Sequence, residues 1–122
     1  MTDSYTIDVV DHAEYVAWRD ALSVLGISRW DDVKSTGRVP VQFFHDDRHD
    51  TDRFSTICPG CGASLGGILS DVPVGGFDEP RWAIQNADPE HLTMTPSLGC
   101  GGWRAGTCIG HWWIRDGRLV LA

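Results

Sequence analysis

Two short pairs of metal-binding residues constrain the fold of this chain more than any other feature. Cys58 and Cys61 are three residues apart, and so are Cys108 and His111. Such pairs can hold one ion when the turn between them is tight, and proline or glycine occurs in both turns. Because structural zinc takes four ligands in a tetrahedron, the sequence predicts one structural Zn²⁺ held by three cysteines and one histidine.

Two alternatives to this ligand set remain open. Cys100 could replace His111 as the fourth ligand, or it could be a reactive thiol near Arg104. The four cysteines could also form two disulfides, but the amino terminus lacks the charged and apolar regions of a secretory signal. We therefore expect reduced cysteines, a cytoplasmic location and, for Cys100, a small buried side chain.

Length and charge limit the classes of function. The chain has 122 residues and a formal net charge of −7, and one domain is expected at this length. Nucleic-acid binding requires lysine and arginine to neutralise phosphates, so the acidic balance argues against a nucleic-acid partner. No apolar run approaches the roughly 18 residues that cross a bilayer, so no membrane association is expected.

The first 37 residues are predicted to be helical. Asp11 and Glu14 have the spacing of a capping pair, and four large apolar side chains recur on one helical face after Asp11. These side chains are Tyr15, Trp18, Leu22 and Leu25. Such a stripe usually faces a core, so we expect it to be buried rather than to bind a ligand.

From residue 38 onward, short apolar segments alternate with turns, which is typical of β-strands. The predicted strands are Val39–Phe44, Phe54–Ile57, Ala63–Leu69, Trp82–Gln85 and Leu92–Thr95. A terminal hairpin follows, in which Asp116 and Gly117 suit a two-residue turn with positive φ at both positions. The predicted fold is a single α+β domain of residues 1–122. Its helical segment (1–37) packs on a small antiparallel β-sheet region (38–122) closed by one zinc site.

Aromatic and arginine side chains are concentrated near the predicted zinc ligands. This enrichment is typical of a protein-binding surface, for which the candidates are Trp103, Arg104, Trp112, Arg115 and Arg118. Core packing is the alternative. Trp112 and Trp113 would face opposite sides of a strand, so at least one of them is expected in the core.

Two further groups of residues could carry chemistry. One is an acidic cluster with the side chains of a metal site, although acidic loops are usually only solvated: His45, Asp46, Asp47, His49 and Asp50. The other is Ser97, which follows Pro96 but has no nucleophile motif around it. We therefore predict that Ser97 is a turn residue rather than a nucleophile.

Several of these motifs together resemble a known family. Residues 92–98 and 108–118, with Cys58–Gly62 and Trp82, resemble a family of unknown function encoded by phages and by bacterial operons for ubiquitin-like conjugation. Its members are similar in their cysteine knuckle, Thr-x-x-Pro-Ser segment and terminal Cys-x-x-His hairpin. The resemblance covers about residues 54–122 and implies zinc and a phage or bacterial setting. A weaker similarity is to zinc-tented β-folds such as B-type methionine sulfoxide reductases.

Binding is favoured over catalysis, because the predicted metal site is saturated and no second complete catalytic set is visible. The predicted function is a small zinc-stabilised accessory or adaptor protein, phage-encoded, that binds a protein partner. The alternative is an enzyme. It would be a thiol-dependent redox catalyst using Cys100, or a metal-dependent hydrolase whose zinc site is incompletely closed.

Overall fold

The described part of the chain is a closed ring of β-strands. The computed structural model describes residues 4–17, 37–59, 64–75, 80–100 and 110–121. Within them, eight strands follow one another around a barrel in sequence order. They are β1 (Ser4–Val9), β2 (Arg38–Asp46), β3 (Thr51–Ile57), β4 (Ser64–Leu69), β5 (Arg81–Asn86), β6 (Thr93–Gly99), β7 (His111–Arg115) and β8 (Arg118–Leu121). Residues 12–17 are helical, and a 3₁₀ turn, Pro89–His91, precedes β6.

Strand β1 closes the barrel. It pairs in parallel with β2, where Ile7 lies opposite Val39, and antiparallel with β8, where Tyr5 lies opposite Leu119. The pair formed by β4 and β5 is also parallel, and the other neighbouring pairs are antiparallel. Parallel pairs need long crossover connections, which the chain supplies between β1 and β2 and between β4 and β5.

Side chains from alternate strand positions fill the barrel. The core includes Tyr5, Ile7, Val39, Val41, Phe54, Leu65, Trp82, Met94, Leu98, Trp112, Ile114 and Leu119. Two aromatic pairs pack edge to face, Tyr5 with Trp112 at 5.8 Å and Phe54 with Trp82 at 5.5 Å between ring centroids. The indole ring of Trp82 lies where a Cβ on Gly67 would be, so glycine is required at this position.

The predicted α+β fold class is wrong. The described residues form a closed β-barrel, and Ser4–Val9, predicted to be part of a helical segment, is strand β1. Its sequence carries the signal of a strand, because buried Tyr5 and Ile7 alternate with more exposed polar residues. The sheet is not purely antiparallel, and pairing of β1 with β8 closes it, whereas the prediction assigned closure to zinc.

The strands predicted from residue 38 onward are confirmed. Each predicted segment overlaps one strand from β2 to β6, and the terminal hairpin forms as β7 and β8. The hairpin turn has φ of 50° at Asp116 and 74° at Gly117, as the two-residue turn requires.

Part of the helical prediction is also confirmed. The Asp11 side chain accepts a hydrogen bond from the backbone N–H of Glu14 at 2.8 Å, before the helical residues 12–17. Tyr15 is buried at 2% exposure, and its hydroxyl donates to the carbonyl oxygen of Thr56 at 3.1 Å. The rest of the predicted stripe, Trp18, Leu22 and Leu25, lies outside the described residues.

The described residues contain no helix whose length and apolar character would let it span a membrane. The single-domain organisation and the cytoplasmic location stay predictions.

Replacing Ile7 with alanine tests the role of β1. Ile7 is 5% exposed between β2 and β8, so its truncation is expected to lower the free energy of unfolding by about 2–5 kcal/mol. Val9→Ala, at a position that is 37% exposed, is the matched control and should cost less than about 1 kcal/mol. Urea unfolding measures both, and equal losses would contradict the packing of β1 in the barrel.

Candidate active site

Ser97 and His111 lie side by side on neighbouring strands. Ser97 Oγ is 2.7 Å from Nε2 of His111, and both side chains are partly buried. The two residues are 14 positions apart in sequence. The antiparallel pairing of β6 with β7, in which Gly99 lies opposite His111, brings them together.

Ser97 lies in a β-bulge of β6. The pairing register with β7 shifts between Met94 and Leu98, so three residues ending at Ser97 lie opposite the single residue Trp113. The bulge contains a cis peptide bond before Pro96. Leu98 is 2% exposed and faces the core, while Ser97 reaches His111. Ser97 faces outward because it alternates with Leu98, and β-bulges are common beside active sites.

The pair has the geometry of a nucleophile and its general base. An imidazole that carries its proton on Nδ1 can accept a hydrogen bond from the Ser97 hydroxyl through Nε2. The 2.7 Å separation lies within the range of about 2.6–3.2 Å expected for such a pair. The base can therefore take the hydroxyl proton when the oxygen attacks an electrophilic carbon.

An aromatic and a cationic side chain adjoin this pair on β7. Trp113 and Arg115 follow His111 at every second position, so the three residues share the outer face of the barrel. The Arg115 guanidinium carbon lies 4.2 Å from the centroid of the Trp113 ring. Trp112, predicted to belong to a binding surface, is instead 4% exposed and packs in the core.

Of the other four residues of the predicted binding surface, two are exposed and two lie outside the described residues. Arg115 is exposed, and Arg118 is exposed and donates to the hydroxyl of Ser4 at 2.7 Å. Trp103 and Arg104 lie outside the described residues.

Of the four predicted zinc ligands, the structure describes Cys58 and His111. Cys58 follows β3 and is 0% exposed, whereas Cys61 and Cys108 lie outside the described residues. β3, which precedes Cys58, and β6, which precedes Cys100, end at the same end of the barrel, because β3 is antiparallel to β4, β4 is parallel to β5, and β5 is antiparallel to β6. The described residues contain no group of three metal-binding side chains, and the zinc site stays a prediction.

Cys100, the candidate reactive thiol, lies directly after β6. It is 1% exposed and belongs to the same core cluster as Cys58. Reactive cysteines need access to their substrate, so this burial argues against a thiol mechanism.

The acidic cluster at the β2–β3 turn pairs within itself and with residues of β3. His45 Nδ1 is 2.8 Å from Asp52 Oδ1, and its Nε2 is 3.2 Å from Asp50. His49 Nδ1 is 2.8 Å from Asp46. The hydrogen bond with Asp52 raises the pKa of His45, and the hydrogen bond with His49 lowers the pKa of Asp46. These exposed contacts form ion pairs when the histidines are protonated.

The prediction that Ser97 is a turn residue is wrong, because Ser97 lies inside β6. That prediction rests on the absence of a nucleophile motif around Ser97, and the predicted strand ends at Thr95. The available signal was the order of elements. The Gly-rich segment 99–110 joins two consecutive strands, which would pair antiparallel. Antiparallel pairing places the end of the first strand, near Ser97, beside His111 at the start of the second strand.

One family model matches the chain. It is described as BubE, bacterial ubiquitination-like system serine protease, and it matches residues 30–122, which include both Ser97 and His111. No curated protein and no solved structure matches the chain. The predicted link to bacterial ubiquitin-like conjugation is thereby confirmed, and the link to phages stays a prediction.

Replacing Asp52 with asparagine tests the His45 pair. The Asp52 carboxylate raises the pKa of His45, so this pKa is expected to fall toward the ordinary histidine value in Asp52→Asn. The His45–Asp52 pair contributes its full stabilisation at pH values below about 6.5, the pKa of histidine in the unfolded chain. This contribution is lost as the pH rises through the pKa of His45 in the folded protein. NMR titration of the His45 ring measures the shift. Asp8→Asn, on β1, is the control, and an unchanged titration in Asp52→Asn would contradict the assignment.

Proposed function

Because the chain belongs to the BubE family of bacterial ubiquitination-like system serine proteases, we propose that it is a serine protease with Ser97 as nucleophile and His111 as general base. The observation that supports these roles is the 2.7 Å contact between Ser97 Oγ and His111 Nε2. It joins the side chain that must lose a proton to the side chain that can accept it.

The reaction proceeds through an acyl-enzyme. Nε2 of His111 takes the hydroxyl proton as Ser97 Oγ forms a bond to the carbonyl carbon of a peptide or isopeptide bond. The imidazolium then gives this proton to the leaving nitrogen as the carbon–nitrogen bond breaks. In the second half, His111 takes a proton from water as the water oxygen attacks the ester carbon. It returns that proton to Ser97 Oγ as the ester bond breaks, and the product acid leaves and ionises to a carboxylate.

This function differs from the adaptor predicted from sequence but keeps a protein partner. A protease of a ubiquitination-like system acts on a protein, so the partner is the substrate. The thiol-dependent alternative loses support because Cys100 is 1% exposed.

The general-base role of His111 bears on the predicted zinc site. A neutral imidazole that binds a metal through one ring nitrogen carries its proton on the other, where it is a donor. A zinc-bound His111 would therefore present N–H to Ser97 and could not accept its proton. We propose that the fourth ligand of the structural Zn²⁺ is Cys100, with Cys58, Cys61 and Cys108. Support comes from the shared core cluster of Cys58 and Cys100.

A fluorophosphonate probe tests the nucleophile. We expect covalent modification at Ser97, none in Ser97→Ala, and labelling at least about 100-fold slower in His111→Ala, because the base no longer removes the hydroxyl proton. Ser64→Ala, which changes an exposed serine of β4, should label like the wild type. Intact mass and peptide mapping give the site and the rate. Modification of another serine, or equal labelling of His111→Ala, would overturn the assigned roles.

Metal analysis of single variants tests the ligand set. One zinc per chain is expected in the wild type and in His111→Ala, and less than half of it in Cys58→Ser and Cys100→Ser, because each cysteine supplies one of four ligands. Elemental analysis after gel filtration measures the content. Zinc that survives Cys100→Ser but not His111→Ala would restore His111 as the ligand and remove it as the base.

A further inference from the structure

Arginine side chains form a row across the outer face of four strands. The strand registers place Arg115 opposite Arg118, Arg118 opposite Thr6, and Thr6 opposite Arg38. Residues directly opposite each other in a sheet point to the same side, so the row crosses β7, β8, β1 and β2. All three arginines are exposed.

The three arginines differ in the described groups that they contact. Arg38 pairs with Asp8 at 2.7 Å. Arg118 instead donates to hydroxyl groups on β1, and Arg115 stacks on Trp113. Among the residues that the structure describes, neither Arg115 nor Arg118 forms an ion pair with a carboxylate. We call these two residues, with Trp113, the cationic strip.

Fold stability does not account for the cationic strip. Like charges directly opposite each other destabilise a sheet, yet Arg115 and Arg118 are directly opposite. The chain as a whole is acidic, with a formal net charge of −7, so a local cationic surface departs from its average. A role in binding an anion explains both features.

The cationic strip begins next to the proposed nucleophile. Trp113 is two positions, and Arg115 four positions, beyond His111 on the same face of β7. At about 3.3 Å per residue, Arg115 is about 13 Å along the strand from His111. An extended substrate segment of about four residues covers the same distance.

Resting on the proposed function, we propose that the cationic strip binds carboxylate side chains of the protein substrate. An acidic residue about four positions from the scissile bond pairs with Arg115, whose planar guanidinium suits a carboxylate. The segment between them packs on Trp113, which places the scissile bond at Ser97. A protein rather than a nucleic acid is the occupant, because the net negative charge opposes long-range attraction of a polyanion.

Peptide binding to the Ser97→Ala protein tests the cationic strip without requiring cleavage. The probes are two short fluorescein-labelled peptides, one alternating glutamate and glycine and the other glutamine and glycine. Fluorescence anisotropy at low salt is expected to show at least about fivefold tighter binding of the glutamate peptide. Arg115→Glu should remove this preference. Arg48→Glu makes the same charge change in the β2–β3 turn and should retain it.

Three results would overturn the proposal. Equal binding of the two peptides would show that carboxylates are not recognised. Equal weakening by Arg115→Glu and Arg48→Glu would show that only net charge matters. A single-stranded oligonucleotide of equal charge that binds more tightly, with the same dependence on Arg115, would show a nucleic-acid surface instead.

Protection of Ser97 connects the cationic strip to the nucleophile. In the wild type, the glutamate peptide should slow fluorophosphonate labelling of Ser97 at least about fivefold more than the glutamine peptide, and Arg115→Glu should remove the difference. Binding without protection would overturn the placement of the scissile bond. Absence of labelling in the free wild type would count against the protease itself, while the anisotropy measurement would still decide the cationic strip.

Discussion

β1 and β8 join the described strands into a closed ring, through pairs such as Tyr5 with Leu119 and Thr6 with Arg118. Closure assigns every strand position to the inside or the outside, because successive side chains alternate between the two faces. A one-residue slip between β7 and β8 would exchange their inner and outer side chains. The positions of His111 and Arg115 on one outer face therefore depend on the same register that buries Trp112 and Ile114.

The outer face of β7 carries the proposed chemistry, and the inner face carries stability. Trp112 and Ile114 are 4% and 0% exposed, whereas His111, Trp113 and Arg115 between and beside them reach the surface. The same division applies to β6, where Leu98 lies in the core and its neighbour Ser97 contacts His111 on the outer face. The proposed nucleophile and its proposed base therefore meet on the outer face, next to the register shift in β6.

Local patterns were sufficient to predict the strands from residue 38 and the terminal turn at Asp116 and Gly117, because period-two alternation and turn chemistry depend on near neighbours. The barrel was not predicted, since β1 pairs with strands distant in sequence and its own alternation is only six residues long. The same limit applies to the candidate site. His111 is predicted from its spacing to Cys108 as a zinc ligand, whereas its contact with Ser97 depends on a strand register that no local motif records.

The position of one proton on the His111 ring decides whether His111 is a general base or a zinc ligand. As a base, its Nε2 must be without hydrogen, which requires the proton on Nδ1. As a zinc ligand through Nδ1, it would carry its proton on Nε2 and could only donate to Ser97. The 2.7 Å contact accommodates a hydrogen bond in either direction, so the identity of the fourth zinc ligand determines which of the two groups donates. Family membership favours the base, because the family is described as serine proteases, and Cys100, buried in the same core cluster as Cys58, offers zinc another ligand.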